Sequence, residues 1–95
     1  MKAVLDGVTI AESDQTVYRG GNHYFPHESL RKEHFNRSDL RTICSIKGQA
    51  HYYNVAVNGD VIEDAAWYYP EPLPTARNIA NHVAFYTNRG IKVVP

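Results

Sequence analysis

The sequence predicts one mainly β domain, a small folded antiparallel or mixed sheet with a single short helix near residues 75–82. Three observations carry that expectation. Runs of strand-forming residues alternate with Gly- and Pro-bearing turns along the whole chain. Two long β-rich runs are joined by Asn58-Gly59, a pair that tolerates the positive φ angles of a tight hairpin. Only one segment carries apolar residues at helical spacing. Ninety-five residues, 43% of them apolar and 21% charged, are enough for one core, so the domain spans 1–95.

Taken in order, Lys2-Ala3-Val4-Leu5 and Val8-Thr9-Ile10-Ala11 flank Asp6-Gly7 and read as a first hairpin. Gln15-Thr16-Val17-Tyr18 reads as a short strand ahead of Gly20-Gly21. The segment His27 to Phe35 is charged, with Leu30 and Phe35 its only large apolar residues, so it forms at best a surface turn of helix. Gln49 to Val57 and Asp60 to Tyr69 are the two arms of the central hairpin, and Pro70 and Pro72 end the second arm. Ala76, Ile79, Ala80 and Val83 sit at i, i+3, i+4 and i+7 behind Thr75 as a candidate N-cap, which predicts the helix. Phe85-Tyr86 and Ile91-Lys92-Val93-Val94 return as strand.

A two-residue loop at Asn58-Gly59 without a bulge sets Val57 opposite Asp60. Ala50 then faces Trp67, Tyr52 faces Ala65, and Gly48 faces Tyr69. One side of the hairpin therefore carries Gly48, Ala50, Tyr52, Ala65, Trp67 and Tyr69, tiny residues between large amphipathic aromatics. Such a surface offers a floor of Gly and Ala between walls of Tyr and Trp, suited to a flat or extended guest. The same residues would also serve simply as the packing of a small core. Lys47 alternates to the opposite side, so its ammonium reaches this face only if the chain bends at Gly48.

Charge and cysteine content exclude several function classes. Ten basic residues balance ten acidic ones, so no global field draws in a polyanion, and nucleic acid is not an expected partner. No stretch of about 18 apolar residues and no signal-peptide pattern occurs, so a cytoplasmic location without membrane association is expected. Cys44 is the sole cysteine, which rules out an internal disulfide and a cysteine-rich zinc site. The five histidines, with Glu12, Glu63 and Asp64, show no local ligand spacing, so neither metal nor cofactor is expected. The expected assembly is a monomer or weak homodimer.

The run Cys44-Ser45-Ile46-Lys47-Gly48-Gln49-Ala50-His51-Tyr52-Tyr53, followed by Ala65-Ala66-Trp67-Tyr68-Tyr69-Pro70-Glu71-Pro72, resembles the C-x-x-K-G-x-A-x-Y and A-W-x-Y-P-x-P pattern of the DUF427 family. Asn22-His23-Tyr24-Phe25-Pro26, Asn78-Ile79-Ala80 and Val83-Ala84-Phe85-Tyr86 match further segments in the same order. The resemblance implies a small folded sheet similar to the β-tent of Mss4-like proteins. It transfers little function, because the family is mainly uncharacterised and only sometimes labelled nucleotidyltransferase-like. Asp60, Glu63 and Asp64 lack the Gly-rich phosphate loop that such chemistry uses. Two departures stand at the edge of the motif region: Ser45-Ile46, where a proline and an aromatic are frequent, and Asn81, where glycine is frequent.

These readings lead to a small binding module that holds an anionic or planar metabolite on the Trp67 face. Tyr52 and Tyr69 would be its walls, Lys47 its charge anchor, and Cys44 a further lining residue. The alternative is an enzyme in which Cys44, its thiol activated by Lys47, or an acid such as Glu12 acts beside the same pocket. A third reading is a protein-interaction domain using exposed tyrosines, of which the chain has 7 in all. Burial of Tyr52, Trp67 and Tyr69 counts against that third reading.

Overall fold

The computed structural model covers residues 1–95 and consists of nine strands with three short 3₁₀ segments. The strands are β1 (Lys2–Leu5), β2 (Val8–Glu12), β3 (Val17–Arg19), β4 (Asn22–Pro26), β5 (Phe35–Cys44), β6 (Gly48–Val57), β7 (Asp60–Tyr68), β8 (His82–Phe85) and β9 (Lys92–Val94). The 3₁₀ segments span His27–Ser29, Lys32–His34 and Pro74–Ile79. A three-stranded sheet has the order β2-β1-β9, and a six-stranded sheet the order β3-β4-β8-β7-β6-β5, with every pairing antiparallel. The mainly β expectation holds.

Alternation along the strands of the larger sheet divides its side chains between two apolar clusters. Phe25, Val55, Ala66, Val83 and Phe85 join Ala3, Leu5, Ile10 and Ala11 of the smaller sheet in the main core. Their immediate neighbours Tyr24, Trp67 and Ala84 point the other way, into a second cluster with Ala50, Tyr52, Tyr69, Ala76 and Ile79. Period-two geometry therefore gives each face of one sheet its own core. The residues between β4 and β5 cross the edge of the main core. There the Arg31 N–H donates to the Ile10 carbonyl at 2.8 Å, and Leu30 bridges Ala11.

The hairpin register differs from the expected one. Val57 faces Asp60 and Val55 faces Ile62 as anticipated, but Tyr53 then pairs with Ala66, Tyr52 with Trp67 and His51 with Tyr68. The two residues added to β7 form a bulge around Asp64, whose φ is 52°. The Asp64 N–H donates to Asn54 Oδ1 at 2.9 Å, and the Ser38 hydroxyl donates to the Asp64 carboxylate. Asn54 thus satisfies a backbone N–H that leaves the ladder, and the Ser38 bond holds the Asp64 side chain in place, which together stabilise the bulge. A shift of two preserves face parity, so Ala50, Tyr52, Trp67 and Tyr69 remain together. Ala65, inside the bulge, turns into the main core instead.

The expected helix over 75–82 is a 3₁₀ segment, Pro74–Ile79, interrupted at Ala76 (φ −123°, ψ 21°). Ala76 and Ile79 are buried three residues apart, but Ala80 is already extended, Asn81 is left-handed (φ 59°), and His82 begins β8. Val83 therefore packs from a strand, and its helical spacing is coincidental. The Thr75 hydroxyl does not cap a helix but donates to the Ile46 carbonyl at 2.7 Å.

Candidate functional site

The Cys44–Gly48 connection between β5 and β6 is held by long-range contacts. The Leu73 N–H donates to the Lys47 carbonyl at 3.0 Å, and Arg19 Nη1 donates to the Thr75 carbonyl at 2.6 Å and to Asn78 Oδ1 at 3.0 Å. Three distant pieces of chain, β3, the β5–β6 turn and the 73–78 segment, are thus tied into one corner. Gly48 makes the corner possible. Its φ is +112°, and a Cβ there would lie 3.3 Å from the Glu71 carbonyl oxygen and 3.5 Å from the Leu73 nitrogen. Only glycine takes that conformation so close to another backbone without strain.

The bend at Gly48 decides where Lys47 goes. Its side chain is half-buried, and its Nζ lies 3.6 Å from where a Cβ on Gly20 would stand, over the β3–β4 turn. Cys44 packs against the Trp67 cluster. Its thiol pKa is held below the ordinary value chiefly by the backbone N–H groups of Ile46 and Lys47 that face the sulfur, with the charges of Lys47 and Arg19 adding to the effect. Neither cation has a carboxylate partner, since the one ion pair in the chain is Arg31 with Glu12.

Behind this corner, tyrosine hydroxyls gather. The Tyr24 hydroxyl accepts from Trp67 Nε1 at 3.3 Å, and the Tyr52 hydroxyl bonds Thr42 Oγ1 at 2.8 Å. Tyr69, only 7% exposed, is pushed up to about 12 first by burial and then by its neighbours Tyr24, Cys44, Tyr52 and Tyr86. It makes no side-chain hydrogen bond, so its hydroxyl is the free polar group of the cluster. Trp67 is 9% exposed and Tyr52 6%, and both pack with Tyr24, Ala76 and Ile79. The structure thus brings Cys44, Tyr52, Trp67 and Tyr69 together on one side of the sheet. Lys47 stands at the end of that group rather than inside it, and the aromatic surfaces are turned into packing, which leaves the polar corner as the accessible chemistry.

Arg19, Tyr24 and Thr42 belong to this corner without having been singled out in the sequence. Arg19 reaches it from residues 56 and 59 positions away, and no local spacing signals that approach. On the opposite side of the sheet, a cavity of about 600 Å³ is lined by His27, Glu28, Leu30, Lys32, Phe35, Arg37, Tyr53 and Asn81. Sequence reasoning did not find it, because the His27–Phe35 segment read as charged surface and no strand was expected between it and Cys44. No three His, Cys, Asp or Glu side chains converge as a metal ion would require. No helix is long and apolar enough to cross a membrane.

The comparison with protein families gives one result: the family described as a domain of unknown function, DUF427, matches residues 1–94. No curated protein matches the chain.

Proposed function

The chain belongs to the DUF427 family, and from that premise we propose that it is a small binding module whose ligand is a compact anionic metabolite held at the Cys44–Lys47 corner of the aromatic face. The observation that carries this reading is the convergence of Lys47 and Arg19, both free of carboxylates, on a turn whose backbone N–H groups face the Cys44 sulfur. Arg19 uses only Nη1 in its contacts with Thr75 and Asn78, which leaves its Nη2 and Nε donors for a carboxylate or phosphate. Burial of Trp67, Tyr52 and Tyr69 supports a ligand at the rim rather than one lying flat on the rings.

A covalent role for Cys44 is the second reading, favoured by the lowered thiol pKa. The charges acting on the thiol are those of Lys47 and Arg19, with no histidine among them, so a Cys–His pair has no support. The binding reading is tested by titrating the protein with phosphate, sulfate and short carboxylates while following backbone amide resonances. Saturable shifts centred on Ile46, Lys47 and Gly48 are expected, with affinity falling about tenfold in Lys47→Ala and more steeply at low salt than at high salt. Shifts absent from this turn, or unchanged in Lys47→Ala, would defeat the proposal.

A further inference from the structure

The cavity on the opposite side of the sheet carries chemistry that the Cys44 corner does not use. It is lined by the connection from β4 to β5, which runs in two 3₁₀ turns, His27–Ser29 and Lys32–His34, the second tied to β6 where the His34 ring bonds the Ala56 carbonyl at 2.9 Å. β5 itself loses its pairing with β6 between Arg37 and Arg41, which opens the edge further. The space left behind measures about 600 Å³, within the range of roughly 300–1,000 Å³ common for small-molecule sites.

Its inner wall is aromatic and rigid. His27 Nε2 and the Tyr53 hydroxyl are 3.2 Å apart and satisfy one another. The His27 backbone N–H donates to the Asn81 carbonyl at 2.8 Å, which ties the start of this connection to the residue before β8. Tyr53 stacks on Tyr68 with centroids 4.8 Å apart and meets Phe35 edge-on at 5.6 Å. Phe35 and Tyr53 are only partly buried, so a corner of ring surface is left uncovered and faces the cavity. A planar ring fits such a corner by stacking or edge-to-face contact.

The mouth is cationic. Lys32 and Arg37 are exposed and have no carboxylate within ion-pair distance, and Glu28 is the one acid on the wall. Two free cations against one carboxylate leave a net positive mouth that attracts an anion. Arg37 supplies a planar fork of donors, and the Asn81 side-chain amide, which has no hydrogen-bond partner, adds another.

We propose that this cavity is a second binding site, distinct from the Cys44 corner, for a small aromatic compound that carries a phosphate group. The ring lies against Phe35 and Tyr53, and the phosphate sits between Lys32 and Arg37. Neither half of the ligand suffices alone, because the cations are exposed and screened by solvent while the aromatic corner is small.

Phenyl phosphate and inorganic phosphate, titrated separately into the intact protein and followed by amide resonances, test this directly. Phenyl phosphate is expected to shift Lys32, Phe35, Arg37, Tyr53 and Asn81 saturably, and to bind at least about tenfold more tightly than inorganic phosphate. Arg37→Glu, an exposed charge reversal that leaves the core untouched, should weaken phenyl phosphate by about tenfold or more. Lys47→Ala should leave these shifts unchanged, which separates this site from the Cys44 corner. Equal affinity for the two probes, insensitivity to Arg37→Glu, or shifts confined to Ile46–Gly48 would each overturn the proposal.

Discussion

Replacing Gly48 by alanine tests whether the β5–β6 corner is built as described. The residue has φ +112°, a region that side-chain-bearing residues occupy at a cost of about 1–3 kcal/mol. The new methyl would also lie 3.3 Å from the Glu71 carbonyl oxygen, part of a backbone pinned by the Leu73 to Lys47 hydrogen bond. Gly59 is the natural control, because its φ is +86° and a methyl there meets nothing within 4 Å. Both substitutions narrow the unfolded ensemble equally, so that contribution cancels in the comparison. The expected loss is about 1 kcal/mol for Gly59→Ala and about 2–3 kcal/mol for Gly48→Ala. At roughly 4–8 °C per kcal/mol for a domain of this size, the second variant should melt about 5–15 °C below the first. Thermal unfolding followed by circular dichroism measures both. Melting temperatures within about 2 °C of one another would refute the close approach at Gly48.

Three further outcomes are expected. Trp67→Ala should lower stability in urea by about 3–5 kcal/mol through loss of the second cluster, and wild-type tryptophan emission should resist iodide quenching because the ring is 9% exposed. Strong quenching would contradict that burial. Asn54→Ala should cost about 1 kcal/mol, since its Oδ1 accepts the Asp64 N–H at the bulge, and an unchanged urea midpoint would show that the bulge does not depend on it. Burial lowers the His27 pKa below its ordinary 6.5. The unfolded chain therefore takes up this proton first, and stability should fall as pH drops below 6.5 toward the folded value. His27→Gln should flatten that part of the stability curve, and an imidazole titrating at or above 6.5 in the folded protein would contradict the reasoning.

The parts of the fold that were legible in the sequence are those set by local chemistry. Asp6-Gly7 and Asn58-Gly59 demand tight turns and receive them, with positive φ at all four residues. The aromatic face survived because alternation is robust to an even shift, so Tyr52, Trp67 and Tyr69 share a side despite the bulge. The bulge itself was not legible, since it depends on Asn54 of the neighbouring β6 and Ser38 of β5, one strand further, reaching Asp64. β5 was missed because its side chains are mostly polar and exposed, with Arg37, Asp39 and Arg41 charged, as suits a sheet edge protected from further pairing. The helix is 3₁₀ and ends at Ile79 for a related reason: Ala76 and Ile79 have the right spacing for burial, but Asn81 in the left-handed region turns the chain into β8. At the site, motif spacing placed Cys44 beside Lys47. Arg19 and the cavity wall of His27, Lys32 and Arg37 depend on contacts between segments far apart in the chain, which spacing does not encode.

The most direct measurement of the anion-binding account is the rate of Cys44 alkylation against pH, with and without phosphate, in the wild type and in Lys47→Ala. The account predicts an apparent thiol pKa below the ordinary 9.0 in the free protein. A bound anion places negative charge beside the sulfur, so phosphate should raise that pKa and slow alkylation. Lys47→Ala should raise the pKa by itself and abolish most of the phosphate effect. A thiol that titrates at 9.0 and responds to neither phosphate nor the substitution would contradict the account.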